Sequence, residues 1–163
     1  MPSIEWMRLV RYDSSSMRKA QTSCRSDSLS DVQRSALMAL IRSKNTLPER
    51  LVAALLCSMR YRFASHDATL PGTPDFVLTR HKLAIFVHGC FWHAHSCRRG
   101  RSMPVTRRDF WEGKKKANVV RDRRAKASLR RLGFRVLTIW ECQLRDENSI
   151  RASIRAGIAT SRR

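Results

Sequence analysis

The sequence predicts an α/β domain, a mixed sheet with helices packed on its faces. Residues 75–78, 83–88 and 134–140 are apolar runs of strand length. A long helical region over about 108–132 separates the second run from the third. A helix linking two strands of one sheet is a crossover that lies on the sheet face. With 163 residues the chain suits one such domain, large enough to bury a core without disulfide staples. The expected organisation is a disordered extension over residues 1–30 and a single domain over residues 31–163.

Taken in order, residues 1–30 hold eight serines and scattered charge with no sustained apolar period, too little apolar surface to fold. Cys24 is a bystander there. Asp31 is placed to cap a short helix to about Arg42 with Val32, Leu37, Leu40 and Ile41 as its apolar positions. Met38 on that helix reads as core. Thr46-Leu47-Pro48-Glu49 reads as a capping box with proline in the first turn, and Leu51, Val52, Leu55, Leu56 and Met59 stripe the helix it starts. Reciprocal capping accounts for Glu49. Cys57, beside the stripe, reads as a buried thiol.

Residues 61–64 read as a strand, and Pro71-Gly72-Thr73-Pro74 is a turn that delivers the chain into residues 75–78. A hairpin centred near His81 sets Val77 opposite Ile85 and Asp75 opposite Val87. An acid at the mouth of an apolar strand pair is hard to explain as structure, which makes Asp75 a candidate functional group. Residues 98–108 read as a basic loop interrupted by Gly100 and Pro104. Gly133 should end the long helix. Ile150, Ile154 and Ile158 mark an amphipathic C-terminal helix.

The densest chemistry is Phe86-Val87-His88-Gly89-Cys90-Phe91-Trp92-His93-Ala94-His95-Ser96-Cys97, where three histidines and two cysteines fall within ten positions. Cys90, His95 and Cys97 offer ligands suited to Zn²⁺, and a closed structural site needs a fourth. Cys142 leaves the last strand as Cys90 leaves the one before. If the two strands are neighbours, one sheet edge brings Cys142 to the others. Spacing favours His95 over His93 as the zinc ligand only weakly. At least one imidazole then remains beside Asp75, an arrangement suited to metal-assisted phosphodiester hydrolysis. Mg²⁺ takes carboxylate and carbonyl oxygens plus phosphate, and a neutral histidine, with an ordinary pKa of about 6.5, removes a proton from the attacking water.

The charge names a partner. Thirty-three Lys and Arg against 13 Asp and Glu give +20, and residues 98–131 alone carry fourteen basic and three acidic groups. With a pI near 11.4 the expected partner is a polyanion, and nucleic acid fits better than a membrane. No apolar run approaches the eighteen or so residues of a spanning helix, and no apolar signal core is seen near the start. Five cysteines then predict a reducing cytoplasm and metal binding rather than disulfides. Residue by residue, this describes a zinc-stapled nucleic-acid-binding protein, with nuclease and non-catalytic readings both open.

Several separated motifs resemble one family. Pro71-Gly72-Thr73-Pro74-Asp75-Phe76-Val77, the run from Phe86 to His93 with His95 and Cys97, Phe110-Trp111, Asn118, Arg121-Asp122-Arg123-Arg124 and Trp140-Glu141-Cys142 are similar, in order and spacing, to the very short patch repair (Vsr) DNA mismatch endonucleases. The resemblance spans about residues 31–145. It implies a restriction-endonuclease-like α/β/α core with a structural zinc site. It also implies Mg²⁺-dependent nicking on the 5′ side of the thymine in T:G mismatches left by 5-methylcytosine deamination.

Carried over by residue, Asp75 binds Mg²⁺ with the Val87 backbone carbonyl, where the family often has threonine. His93 is the catalytic histidine. His88 and Glu49 support the metal's water shell, with Asn118 and Asp122 as further contacts through water. Cys90, His95, Cys97 and Cys142 hold zinc. Phe91, Trp92 and Met38 wedge into the base stack, although Arg34-Ser35-Ala36-Leu37-Met38 lacks the usual Lys-Asn before the methionine. The implied setting is a monomer in the bacterial cytoplasm, associated with the nucleoid through duplex DNA and working beside other mismatch-repair proteins. The alternatives are a non-catalytic zinc-dependent DNA-binding module, which would not need Asp75, His88 and His93 together, and a restriction enzyme of the same fold.

Overall fold

Strand β3 (Leu83–His88) is the spine of the fold, because its six residues are apolar or buried on both faces and take a partner on each side. The computed structural model describes residues 44–159. The expected extension over residues 1–30, the helix from Asp31 to Arg42 and Met38 lie outside the described residues. The elements are α1 (Leu47–Ser58), β1 (Ala64–Ser65), β2 (Phe76–Leu78), β3, α2 (Arg98–Arg101), α3 (Arg108–Arg131), β4 (Arg135–Trp140) and α4 (Glu147–Ala159). Short 3₁₀ turns lie at Thr79–His81 and Glu141–Arg145. The sheet runs β1-β2-β3-β4. β2 pairs antiparallel with both β1 and β3, and β4 joins β3 in parallel after the α3 crossover. A mixed sheet is what the crossover predicted.

Strand alternation sends β3 side chains to two cores. Leu83 and Ile85 meet Leu51, Val52, Leu55 and Leu56 of α1, Ile150 and Ile154 of α4, and Ile139 of β4. Ala84 and Phe86 meet Leu129 of α3. Helices therefore cover both faces. None among the described residues is long and apolar enough to cross a membrane. Gly133, at φ +78°, stops α3 with its N–H on the Arg130 carbonyl and the Phe134 N–H on that of Leu129, a left-handed cap that glycine adopts without a Cβ clash.

Five expectations need correction. The hairpin register is shifted by one: Val77 faces Ala84 and Phe76 faces Ile85. The 3₁₀ turn ends with Lys82 at φ +47°, which moves the centre off His81. The strand expected over residues 61–64 pairs only at Ala64–Ser65, because β2 offers three residues; Phe63 still packs edge-on against Phe76 at 5.2 Å. Cys57 is exposed, since two residues beyond Leu55 is just over half a helical turn from the stripe. Part of the basic loop is helical, α2. Lastly, the reciprocal capping box does not form: the Thr46 hydroxyl donates to Glu49 Oε1 (2.6 Å) and the Asn45 N–H to Oε2 (2.8 Å), so the carboxylate is gripped rather than capping and capped in exchange.

Candidate active site and metal centre

β3 and β4 end in register, His88 beside Trp140, so the segments that follow them leave the same sheet edge. Open α/β sheets place their ligands at this C-terminal edge. Cys90, His95, Cys97 and Cys142 each bring one ligand atom there, all within 4.8 Å of one another. His95 Nδ1 stands 3.6 Å from Cys142 Sγ, close to the roughly 3.5 Å edge of a tetrahedron built on Zn–S and Zn–N bonds. The His95 N–H donates to the Cys90 carbonyl (3.1 Å), and the His95 ring stacks on Trp140 at 4.3 Å. Gly100 is required here, as a Cβ would lie 2.0 Å from the His95 carbonyl oxygen. Burial pushes the Cys90 thiol up to about 12. A hydrogen bond from His95 and the Gly100 N–H pull Cys97 down to about 6. Three sulfurs and one nitrogen with no open position are the donor set of a structural zinc site, and they fit that ion.

A second cluster is built from three separate elements. Glu49 comes from the first turn of α1, Asp75 from the mouth of β2, and His66 from the turn after β1. One ligand atom of each lies within 4.8 Å of the others. Asp75 Oδ2 accepts the Val87 N–H at 2.7 Å. One step beyond the observed register Val87 would face Pro74, which has no N–H to donate. The Asp75 carboxylate thus takes the place of a ladder partner, and the Val87 carbonyl, which leaves the strand on the same side as its N–H, has no ladder donor from Pro74. Burial raises the Asp75 pKa to about 6. The Val87 N–H opposes the shift, the Glu49 charge adds to it, and His66 and His93 draw it back. Two carboxylates held this close favour a cation between them. Asp75 and the Val87 carbonyl thus offer oxygens that fit Mg²⁺, with the Glu49 carboxylate close enough to support its water shell.

Beside them His93 Nδ1 meets Asp122 Oδ2 of α3 at 2.5 Å, and its ring stacks on His88 at 3.8 Å. Burial first, then the His93 charge, push the His88 pKa down to about 3, so this imidazole stays neutral. His88 Nδ1 is buried without a hydrogen-bond partner, an atom ready to engage a water. Despite its burial Asp122 is held below the usual carboxylate range, chiefly through its hydrogen bond to His93 and the His93 charge, with Arg121 adding to them.

Residues 26–99 match the family model described as DNA mismatch endonuclease Vsr. The type II nicking enzyme V.XorIIP of Xanthomonas oryzae pv. oryzae is 48% identical over 129 residues, covering 79% of this chain and 94% of that enzyme. The chain belongs to the Vsr family. The DNA mismatch endonuclease Vsr of Escherichia coli K12 is 44% identical over 117 residues, covering 72% of this chain and 74% of its own length. Among solved structures, the catalytic domain of the homing endonuclease I-Bth0305I superposes with a TM-score of 0.51 at 27% identity, covering 71% of this chain and 97% of that domain. A Vsr-family sequence on a nuclease fold makes this protein an endonuclease.

In this Vsr-family chain the sequence-derived residues gather as two neighbouring sets: Cys90, His95, Cys97 and Cys142, and Glu49, Asp75, His88 and His93. Asn118 and Asp122 sit on α3 with inward tasks. Asn118 Nδ2 donates to the Trp92 carbonyl (2.9 Å), while Asp122 holds His93. Phe91 and Trp92 are half-buried, edge-on to each other, and both approach Trp111. Two residues escaped the sequence reading. His66 lies in a polar turn outside the histidine cluster. Lys115 lies inside the basic run yet is buried, its Nζ donating to the Gly100 (2.9 Å) and Ser102 (2.8 Å) carbonyls and standing 4.3 Å from the Phe91 ring centre. The available signal was spacing: Trp111, Lys115, Asn118, Asp122, Ala125 and Leu129 recur every three or four residues and form the inner stripe of α3, polar where it faces the site.

Proposed function

We propose that this endonuclease nicks one strand of duplex DNA on the 5′ side of the thymine in a T:G mismatch, with Mg²⁺ at Asp75 and the Val87 carbonyl, and a structural zinc at Cys90, His95, Cys97 and Cys142. The supporting observation is the His93–Asp122 pair beside the Asp75–Glu49 pair. With its proton kept on Nδ1 and donated in a hydrogen bond to Asp122, His93 leaves Nε2 free as the general base. Asp122 then offsets the charge that His93 gains on taking a proton from water. His88, kept neutral by burial, supports the His93 ring by stacking and presents Nδ1 to the water shell, while Glu49 adds an acceptor to that shell. Mg²⁺, when bound, polarises the scissile phosphate and makes its water more acidic. Asn118 and Asp122 are also within the proposed reach of that shell through water.

The basic face of α3 and the loop before it supply phosphate contacts, whose strength falls with salt. Phe91, Trp92 and Met38 are the proposed wedge, which opens a mismatched step more cheaply than a paired one. We read the core as restriction-endonuclease-like, acting as a monomer on the DNA of a bacterial cytoplasm, alongside mismatch-repair proteins. The test is one gel with T:G, T:A and C:G duplexes in Mg²⁺ or EDTA. The expected result is a single-strand nick in the T:G duplex with Mg²⁺ only. Double-strand cleavage of the paired duplexes would replace this reading by a restriction activity, and binding without cleavage by a DNA-binding module.

A further inference from the structure

We infer that His66 is a direct ligand of the divalent cation held between Glu49 and Asp75, so that the site prefers a transition ion such as Mn²⁺, which accepts a nitrogen ligand more readily than Mg²⁺ does. The inference rests on the nuclease reading of this cluster and deepens it. His66 Nε2 is 3.4 Å from Glu49 Oε2, and Nδ1 is 3.8 Å from Asp75 Oδ1. Charge-assisted contacts to a carboxylate close to about 2.7–2.9 Å, so the ring is docked on neither acid but stands between them. The two distances belong to opposite ring nitrogens, of which one ion takes only one; one His66 nitrogen and one oxygen of each carboxylate lie within 4.8 Å of one another, near the roughly 3–4.2 Å between ligands on an octahedral ion with bonds of about 2.1 Å.

The ring is also held in place. The His66 N–H donates to the Asp75 carbonyl at 3.2 Å, extending the β1–β2 pairing by one residue, and the backbone then turns at φ +51°. A left-handed conformation is unfavourable for a residue with a Cβ and persists where the surroundings impose it. Asp67 locks the next turn by accepting the Thr69 N–H (3.0 Å) and hydroxyl (2.6 Å). Glu49 and Asp75 are fixed in turn by Thr46, Asn45 and Val87. Three side chains fixed before the ion arrives make a prepared site. Two carboxylates alone suit Mg²⁺, whereas an added imidazole nitrogen raises affinity for later divalent ions.

The experiment uses the full chain, zinc-loaded, with Mn²⁺ as the probe. Electron paramagnetic resonance counts bound Mn²⁺, and electron spin echo modulation detects a nitrogen bonded to it. Wild type should bind Mn²⁺ with nitrogen modulation. His66→Gln should lose the modulation and bind Mn²⁺ roughly 10–100-fold more weakly, with a smaller change for Mg²⁺. His66→Asn, too short to reach the ion, gives the same comparison should the glutamine variant fail to fold. No nitrogen modulation in wild type, or its persistence in either variant, overturns the assignment. A wild type with the modulation that nicks no duplex overturns the nuclease reading while supporting the ligand.

Discussion

The two clusters at this sheet edge are built in opposite ways. Cys90, His95 and Cys97 come from eight consecutive positions and Cys142 from the next strand's end, giving four soft or borderline donors around a closed point. Glu49, His66 and Asp75 come from a helix, a turn and a strand mouth, mostly hard donors, with Asp75 and His66 left partly open. The first arrangement ties neighbouring segments together and leaves no position for a substrate. The second holds two hydrogen-bonded carboxylates close together, where burial and mutual repulsion are poor for stability and useful for chemistry.

Asp75→Asn breaks this comparison most sharply, because it should move stability and activity in opposite directions. Nicking should fall a thousandfold or more, since a metal ligand supplies several kcal/mol of the barrier reduction. The metal-free fold should gain stability at neutral pH. The folded carboxyl, raised to about 6, holds its proton where the unfolded one, near 3.8, has released it. Its contribution is therefore present below pH 3.8 and is lost as pH rises through 6, by about 3 kcal/mol for a shift of this size. Asparagine carries no charge to desolvate and keeps an oxygen for the Val87 N–H. Thermal unfolding in EDTA across pH 4–8 checks this: the wild-type midpoint should fall relative to the variant as pH rises. Parallel curves would show that Asp75 is not strained by burial.

Cys142→Ser should act on the other cluster in the opposite sense, losing zinc and several kcal/mol of stability together. Structural zinc contributes about 10–16 kcal/mol in peptides that cannot fold without it, and less in a chain with its own core. Cys57→Ser, at an exposed position, should change neither. Metal analysis beside denaturant unfolding reads both quantities. One equivalent of zinc in the Cys142 variant would refute the ligand set.

The same contrast explains what could be read from the chain. The zinc set was legible because its spacing is local and its fourth member needed only the inference that two strands end together. Asp75 and Glu49 were visible as residues, but their grouping depends on how α1 packs on the sheet. His66 carried no signal at all, being a histidine in a polar turn whose ring is aimed by a backbone conformation that sequence does not announce. The register error came from Lys82, where a left-handed residue, not a symmetric three-residue loop, turns the hairpin. Lys115 was hidden by its neighbours. In a run of like charges only the inner-face spacing separates the buried lysine from Lys114 and Lys116, which are exposed.

Asp122→Asn tests whether the carboxylate–histidine pair is chemical or merely structural. An asparagine in this place accepts the same hydrogen bond but cannot offset the charge that His93 gains. Nicking should drop about a hundredfold, within the range for general-base catalysis, with zinc content and duplex binding retained. Rescue distinguishes the roles. Asp122→Glu restores a carboxylate beside the His93 ring and should recover most of the nicking that asparagine loses. Equal loss of rate in both variants would mark Asp122 as scaffolding.

Lys115→Met should give the smallest effect and tests the link between the zinc segment and the aromatic tip. The Lys115 ammonium joins α3 to the Gly100 and Ser102 carbonyls of the zinc segment and lies against Phe91, so one side chain ties the metal-pinned loop to the aromatic tip. Replacing it removes the desolvation that lowers its pKa but leaves two carbonyls without their donor. The balance should cost about 1–3 kcal/mol, seen as a modest fall in midpoint with zinc retained. If Phe91 and Trp92 act as a wedge, loosening their support should reduce the T:G preference more than it reduces salt-dependent binding to paired duplex. Lys116→Met, on the exposed face, should do the reverse, weakening binding to all duplexes alike and making the salt dependence shallower. Equal effects of the two variants on mismatch preference would show that the aromatic tip is packing, and that discrimination arises elsewhere on the surface.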